Sequence, residues 1–203
     1  MCWNATVSLQ SFVLGTIAIL VGSHSGLDPT LLFFCATITL MQGIEAIAWS
    51  YQTNPFMNEL VSRAAALLLW IQPFASIQTL RGSSFSSYRL PLSISYTVTS
   101  LLDFFLNPIP SSRYRMLPKK GHLEWKWIQP FTPSLIIYFL FLLLPLFLVP
   151  SPFLLVFVFI TLGISFYAYG TDNTWGSLWC WQVNGIAVMV IVWKILLKGR
   201  VDH

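Results

Sequence analysis

Between Phe131 and Val149 almost every residue is Leu, Ile or Phe, and the chain carries several other apolar runs approaching twenty residues. A helix needs about twenty apolar residues to cross a bilayer, so runs of this length are the strongest constraint on what the chain can become. Lipid offers the backbone no hydrogen-bonding partner, which leaves only helices and closed barrels as spanning structures. Charged residues make up 9% of the 203 and hydrophobic ones 56%. A soluble domain carries about 25% charged residues, so this chain lacks the polar surface that water would require.

Seven apolar stretches can be marked out, each bounded by turn-forming or charged residues. They run from about Val7 to Val21, Pro29 to Ser50, Asn58 or Glu59 to Leu80, Tyr88 to Leu106, Phe131 to Val149, Phe153 to Tyr169, and Trp175 to Leu197. The expected fold class is all-α: a polytopic membrane helical bundle of about seven transmembrane helices with no strand. Short connections such as Pro150-Ser151-Pro152 leave no room for a second domain, so residues 1–203 read as a single transmembrane helical domain.

The net charge is +4, with the excess between Arg81 and Lys126 and at Lys194, Lys198 and Arg200. This is membrane-flanking charge and not a nucleic-acid footprint. The basic tail favours a cytoplasmic C-terminus by the positive-inside rule. The basic segment from Arg113 to Lys126 would then face the other side, unless the segment from Gly121 to Gln129 dips back into the membrane, the fourth stretch is uneven, or the orientation is reversed. Three cysteines make no disulfide framework and no ligand spacing, so neither metal nor cofactor is expected. Nucleotide-binding and familiar hydrolase signatures are also lacking.

Polar residues inside apolar stretches carry the functional signal. Glu45 lies mid-way along the second stretch, and Gln42, Glu45, Trp49 and Gln52 share one helical face. A carboxylate at that depth is costly and faces a bundle interior or a wet cavity. Tyr96, Ser100, Asp103 and Asn107 form a second stripe, and Ser177, Trp181 and Asn184 a third. Such groups can also act only as glue between helices. Arg63 is a candidate partner for either acid. His122 and Lys126 are four apart, which fits a short interfacial helix with Trp125 and Trp127 at headgroup depth. His122 is then a candidate proton carrier. Trp175, Trp179 and Trp181 form a cluster that reads as a membrane belt or, with Trp125, as an aromatic platform.

Met1-Cys2 with Ser8, the Gln42 to Glu45 region, Gln72-Pro73, Gly121-His122-Leu123-x-Trp125 and Gly176-Ser177-Leu178-Trp179-Cys180 occur in an order that carries a resemblance. The chain resembles a family of small multi-pass membrane proteins of unknown function, found in large DNA viruses of protists and some microbial eukaryotes. The resemblance implies a seven-span fold and no established activity, and it marks Glu45, His122, Trp125, Trp179 and Cys180. Here Glu124-Trp125-Lys126-Trp127 is more charged than the apolar run of that family.

Three functions remain open from the sequence. The first is binding or passage of a small solute or proton through a polar cavity centred on Glu45 and lined by Gln42, Tyr96, Ser100, Asp103 and Asn184. The second is a membrane-embedded lipid-modifying enzyme using Glu45 and His122 as acid and base. The third is a structural or assembly subunit. The partners expected are the lipid bilayer and a small solute or proton.

Overall fold

The computed structural model describes residues 4–128, 132–149, 152–170 and 173–201. Among the described residues there are seven α-helices: α1 (Ala5–His24), α2 (Pro29–Ser50), α3 (Pro55–Gln78), α4 (Arg89–Leu106), α5 (Pro133–Leu148), α6 (Pro152–Tyr169) and α7 (Trp175–Val201). An antiparallel hairpin, β1 (Met116–Lys119) and β2 (His122–Trp125), lies between α4 and α5.

Three helices open with the same chemistry. Asp28, Asn54 and Thr132 each accept a hydrogen bond from a backbone N–H of the first turn, and each is followed by proline at the first helical position. A side-chain oxygen at the cap satisfies an orphan donor, and proline there forfeits nothing because its N–H would have had no partner. Asn4 caps α1 in the same way, accepting from Val7 N at 2.9 Å.

Two features of the expected fold class are corrected. Among the described residues four helices are long and apolar enough to cross a membrane: α1, α2, α3 and the Trp175–Leu197 part of α7. The count of about seven spans does not hold, nor does the seven-span fold that the family resemblance implied. The reason is length and polarity. Thr132 and Pro133 delay the start of α5, leaving 16 residues, about 24 Å at helical rise against a hydrocarbon core of about 30 Å. The apolar part of α6, Leu154–Tyr169, is equally short. α4 has 18 residues but interleaves hydroxyls and Asp103 with its apolar side chains. The second correction is the hairpin, which replaces the expected strandless chain.

The outside of the bundle is consistent with association with a lipid bilayer. In α1 the buried residues are Ser8, Gly15 and Gly22, whereas Leu9, Leu14, Ile17 and Leu20 are exposed. That inversion suits an apolar solvent, where helices meet through small residues that let backbones approach. A Cβ built on Gly15 would stand 2.6 Å from Thr39 Oγ1 of α2 and 2.9 Å from Asn184 Oδ1 of α7. The close approach seats a polar knot. Thr39 donates to Asn184 Oδ1 at 2.8 Å, and Asn184 Nδ2 donates to Ser11 Oγ and O at 2.8 and 3.0 Å.

Prolines inside α3 and α5 remove backbone donors, and neighbouring side chains bond to the carbonyls close by. Tyr96 donates to Trp70 O at 2.6 Å, just before Pro73. Ser76 donates to Leu142 O at 2.7 Å, just before Pro145. These bonds tie α4 to α3 and α3 to α5.

Candidate ligand pocket

The hairpin turns on Lys120 and Gly121, both with positive φ (50° and 78°), in a two-residue loop between partners Lys119 and His122. Two positive φ values identify the type I′ turn, whose twist matches that of the flanking strands. The period of two then sorts the sequence. Within β2, His122 and Glu124 take one face and Leu123 and Trp125 the other, and Lys126 and Trp127 follow in the turn beyond the strand. The expected interfacial helix is therefore corrected to a strand.

The apolar face enters the main core. Leu123, Trp125 and Trp127 cluster with Met41 and Ala48 of α2, Ala65 and Leu68 of α3, and Cys180 of α7. On the polar face Glu124 accepts from Lys119 at 3.2 Å and pairs with Lys126 at 2.8 Å. Burial alone would raise the Glu124 carboxyl, but these two ammonium groups outweigh it and hold it below the usual carboxylate range.

Tryptophans from distant parts of the chain gather at this end. Trp125 and Trp127 stack with centroids 5.7 Å apart and planes 6° from parallel, and Tyr114 stacks on Trp127. Trp125 lies over Gly176 at the start of α7, where an added Cβ would stand 3.2 Å from its ring. Trp175 and Trp179 follow on α7, four residues apart and so on one face. Together with Trp70 of α3 and Tyr138 of α5 they wall a pocket of about 350 Å³. Arg113 also lines it, from the 3-10 turn Ser111–Arg113. The indole N–H groups of Trp125, Trp127, Trp175 and Trp179 are buried and have no acceptor among the described residues. A buried donor without a partner costs about 1–3 kcal/mol.

The sequence-marked residues are distributed as follows. Trp125 and Trp179 line the pocket. Trp181, two residues on and so on another helical face, is half-buried and outside that lining. Glu45 and Gln42 are fully buried, and Gln42 Nε2 donates to Glu45 Oε2 at 3.2 Å. Glu45 lies on the α2 face between Met41 and Ala48, which pack into the same cluster as Trp125 and Cys180. Asp103 accepts from Ser134 of α5 and from Asn107 at 2.9 Å. Tyr96 is buried on α4, and Ser100 is half-buried one turn later. Asn184 belongs to the knot with Thr39 and Ser11. His122 is buried, its ring 4.5 Å from that of Tyr169 of α6. Burial lowers its pKa from the ordinary histidine value. Arg63 pairs with Glu59 at 2.7 Å and lies over the Tyr114 ring, not beside Glu45 or Asp103.

Sequence reasoning missed Trp70, Trp127, Tyr138 and Arg113 as pocket residues. The alternation in His122-Leu123-Glu124-Trp125-Lys126-Trp127 was the available signal for Trp127. Nothing local points to Trp70, Tyr138 or Arg113.

No family model, curated protein or solved structure matches this chain. The resemblance to a viral and protist membrane-protein family is accordingly withdrawn.

Proposed function

We propose that this is a membrane-embedded protein that binds a small solute in the tryptophan-walled pocket, with residues 1–203 acting as one domain. The observation that carries the reading is the wall itself: four tryptophans, whose buried indole N–H groups have no acceptor among the described residues, line a pocket of about 350 Å³. A solute bearing oxygen acceptors satisfies donors that the chain leaves unused. The aromatic faces supply the apolar contact.

The test is a thermal-unfolding series on the purified full chain with acetate, inorganic phosphate and a short-chain phosphatidylglycerol as probes. At least one probe raises the midpoint in the wild type, and Trp125→Phe, which removes the N–H and keeps a ring, reduces that rise. Trp193→Phe, on the exposed wall of α7, leaves it intact. The reading fails if no probe shifts the midpoint, or if the shift is the same in both variants.

The finer reading, passage of a proton or solute by way of Glu45, is supported by the complete burial of Glu45 beside Gln42 and by the packing of its α2 face with Trp125 and Cys180. Dissipation of a pH gradient across proteoliposomes, lost in Glu45→Gln at unchanged insertion, is the expected result. Equal dissipation in the variant sinks this reading and leaves binding in the pocket untouched.

A further inference from the structure

A second, wholly apolar groove of about 480 Å³ runs between α5 and α6, lined by Leu135, Leu140, Leu143, Phe147, Phe159 and Phe166 among others. Both spaces, this groove and the tryptophan pocket, border the start of α5, where Leu135 contributes to each wall. From Leu135 to Phe147 the helix rises about 18 Å, close to the depth of one leaflet of a core about 30 Å thick. Leu140, Phe147 and Phe159 are exposed on this outer wall, where lipid chains lie if the bundle is in a bilayer.

Charge at the mouth points to the head. Two acids are matched by cations: Glu124 by Lys119 and Lys126, and Glu59 by Arg63. Asp103 accepts hydrogen bonds from Ser134 and Asn107, both of which line the pocket, and forms no ion pair among the described residues. Among the described residues Arg113 and Arg115 form no ion pair, and Arg113 lines the pocket. Arg113 thus stands at the pocket with no ion-pair partner among the described residues, and guanidinium binds phosphate through paired, charge-assisted hydrogen bonds.

We infer that the site takes one anionic phospholipid, its phosphate head at Arg113 in the tryptophan pocket and one acyl chain in the α5–α6 groove. This deepens the proposed solute-binding function and rests on it. The lipid bridges two features that neither a free anion nor a bare hydrocarbon would use together. Arg113 attracts the head from the interface, the indole donors of the wall supply further partners, and Leu135 marks the point where head gives way to chain. A zwitterionic lipid brings a cationic group to an end already rich in positive charge and binds more weakly.

The experiment uses the full chain, purified and delipidated in mild detergent. It is titrated with dioleoyl phosphatidylglycerol, dioleoyl phosphatidylcholine or inorganic phosphate, and native mass spectrometry reads occupancy. Quenching of tryptophan fluorescence by dibrominated phosphatidylglycerol provides a second readout. One phosphatidylglycerol per chain is expected, preferred over phosphatidylcholine by about tenfold, because both carry the phosphate but only phosphatidylcholine brings a quaternary ammonium toward the cationic end. Arg113→Gln, an exposed position whose exchange spares the core, removes that preference. Leu140→Trp fills the groove from its exposed side and weakens phosphatidylglycerol, whereas Leu101→Trp, exposed on α4 outside the groove, does not.

Equal binding of the two lipids overturns the assignment of the head, and indifference to Leu140→Trp overturns the assignment of the chain. Phosphate binding as tightly as phosphatidylglycerol also overturns the inference, yet leaves solute binding in the pocket standing. Failure of every probe, the short-chain lipid and acetate included, removes both readings together.

Discussion

The carboxamide of Asn58 holds both backbone polar groups of Met116, donating from Nδ2 to the carbonyl at 2.8 Å and accepting from the amide at 3.0 Å. The register explains why Met116 needs this. In a hairpin with a two-residue loop the hydrogen-bonded pairs are Lys119 with His122 and Leu117 with Glu124, so Met116 and Pro118 turn their backbone groups outward. Pro118 loses nothing there, having no N–H to pair. Met116 is fully buried and would lose a donor and an acceptor. Asn58 of α3 takes the place of a third strand.

Asn58→Ala therefore orphans two buried backbone groups and lowers stability by about 3 kcal/mol. Hydrogen exchange at the Met116 amide should accelerate by more than global destabilisation alone accounts for. Unchanged protection at that amide contradicts the clasp.

Gly121 sits at φ 78°, where a side chain meets the backbone. Gly121→Ala should cost about 1 kcal/mol, read as a lower denaturant midpoint. The accompanying loss should be concentrated in exchange protection of β1 and β2. A neutral result means the turn is not type I′.

Gly15→Val drives a side chain into Thr39 and Asn184, whose atoms stand 2.6 to 2.9 Å from the first added carbon. Overpacking of this kind should cost about 2 kcal/mol. Gly163→Val is the matched control, because no atom lies within 4 Å of its added Cβ. Equal effects at the two sites would show that helix propensity, and not the α1–α2–α7 contact, sets the cost.

Acid should weaken the protein in two steps. His122 has a folded pKa lowered by burial, so the unfolded chain takes up its proton first. Its contribution is intact above about pH 6.5, the unperturbed histidine value, and fades as pH falls toward the folded pKa. Glu124 also has a lowered folded pKa, set by Lys126 and Lys119 against burial. It contributes above about pH 4.3 and loses that contribution as pH falls through its folded value. Unfolding midpoints across this range should lose the first step in His122→Gln and the second in Glu124→Gln. A wild type flat through both windows refutes the assignment.

Much of this molecule follows from local chemistry. The apolar runs require helices because lipid cannot satisfy a bare backbone. The starts at Pro29, Pro55 and Pro133 follow from a capping side chain placed directly before a proline. Apolar length alone overcounts spans, because Thr132 begins α5 inside the run that looked clearest. The hairpin was legible too, in the strict alternation from His122 to Trp127. It reads as a helix when attention goes to His122 and Lys126, since four residues apart is the same face of a helix and also the same face of a strand.

The gathering of Trp70, Tyr138, Trp179 and Arg113 around one pocket had no such local signature. These residues lie on α3, α5, α7 and a turn, and no period along the chain relates them. Packing relates them: the hairpin lays Trp125 against Gly176, and α7 brings Trp179 to the same wall. The same holds for the polar stripes. Spacing put Tyr96 with Asp103 on one face of α4, but only the neighbours decided that Tyr96 bonds Trp70 and Asp103 bonds Ser134. Sequence periodicity specifies which face of an element turns inward; what that face meets depends on contacts between segments far apart in the chain, and those exist only once the tertiary structure has formed.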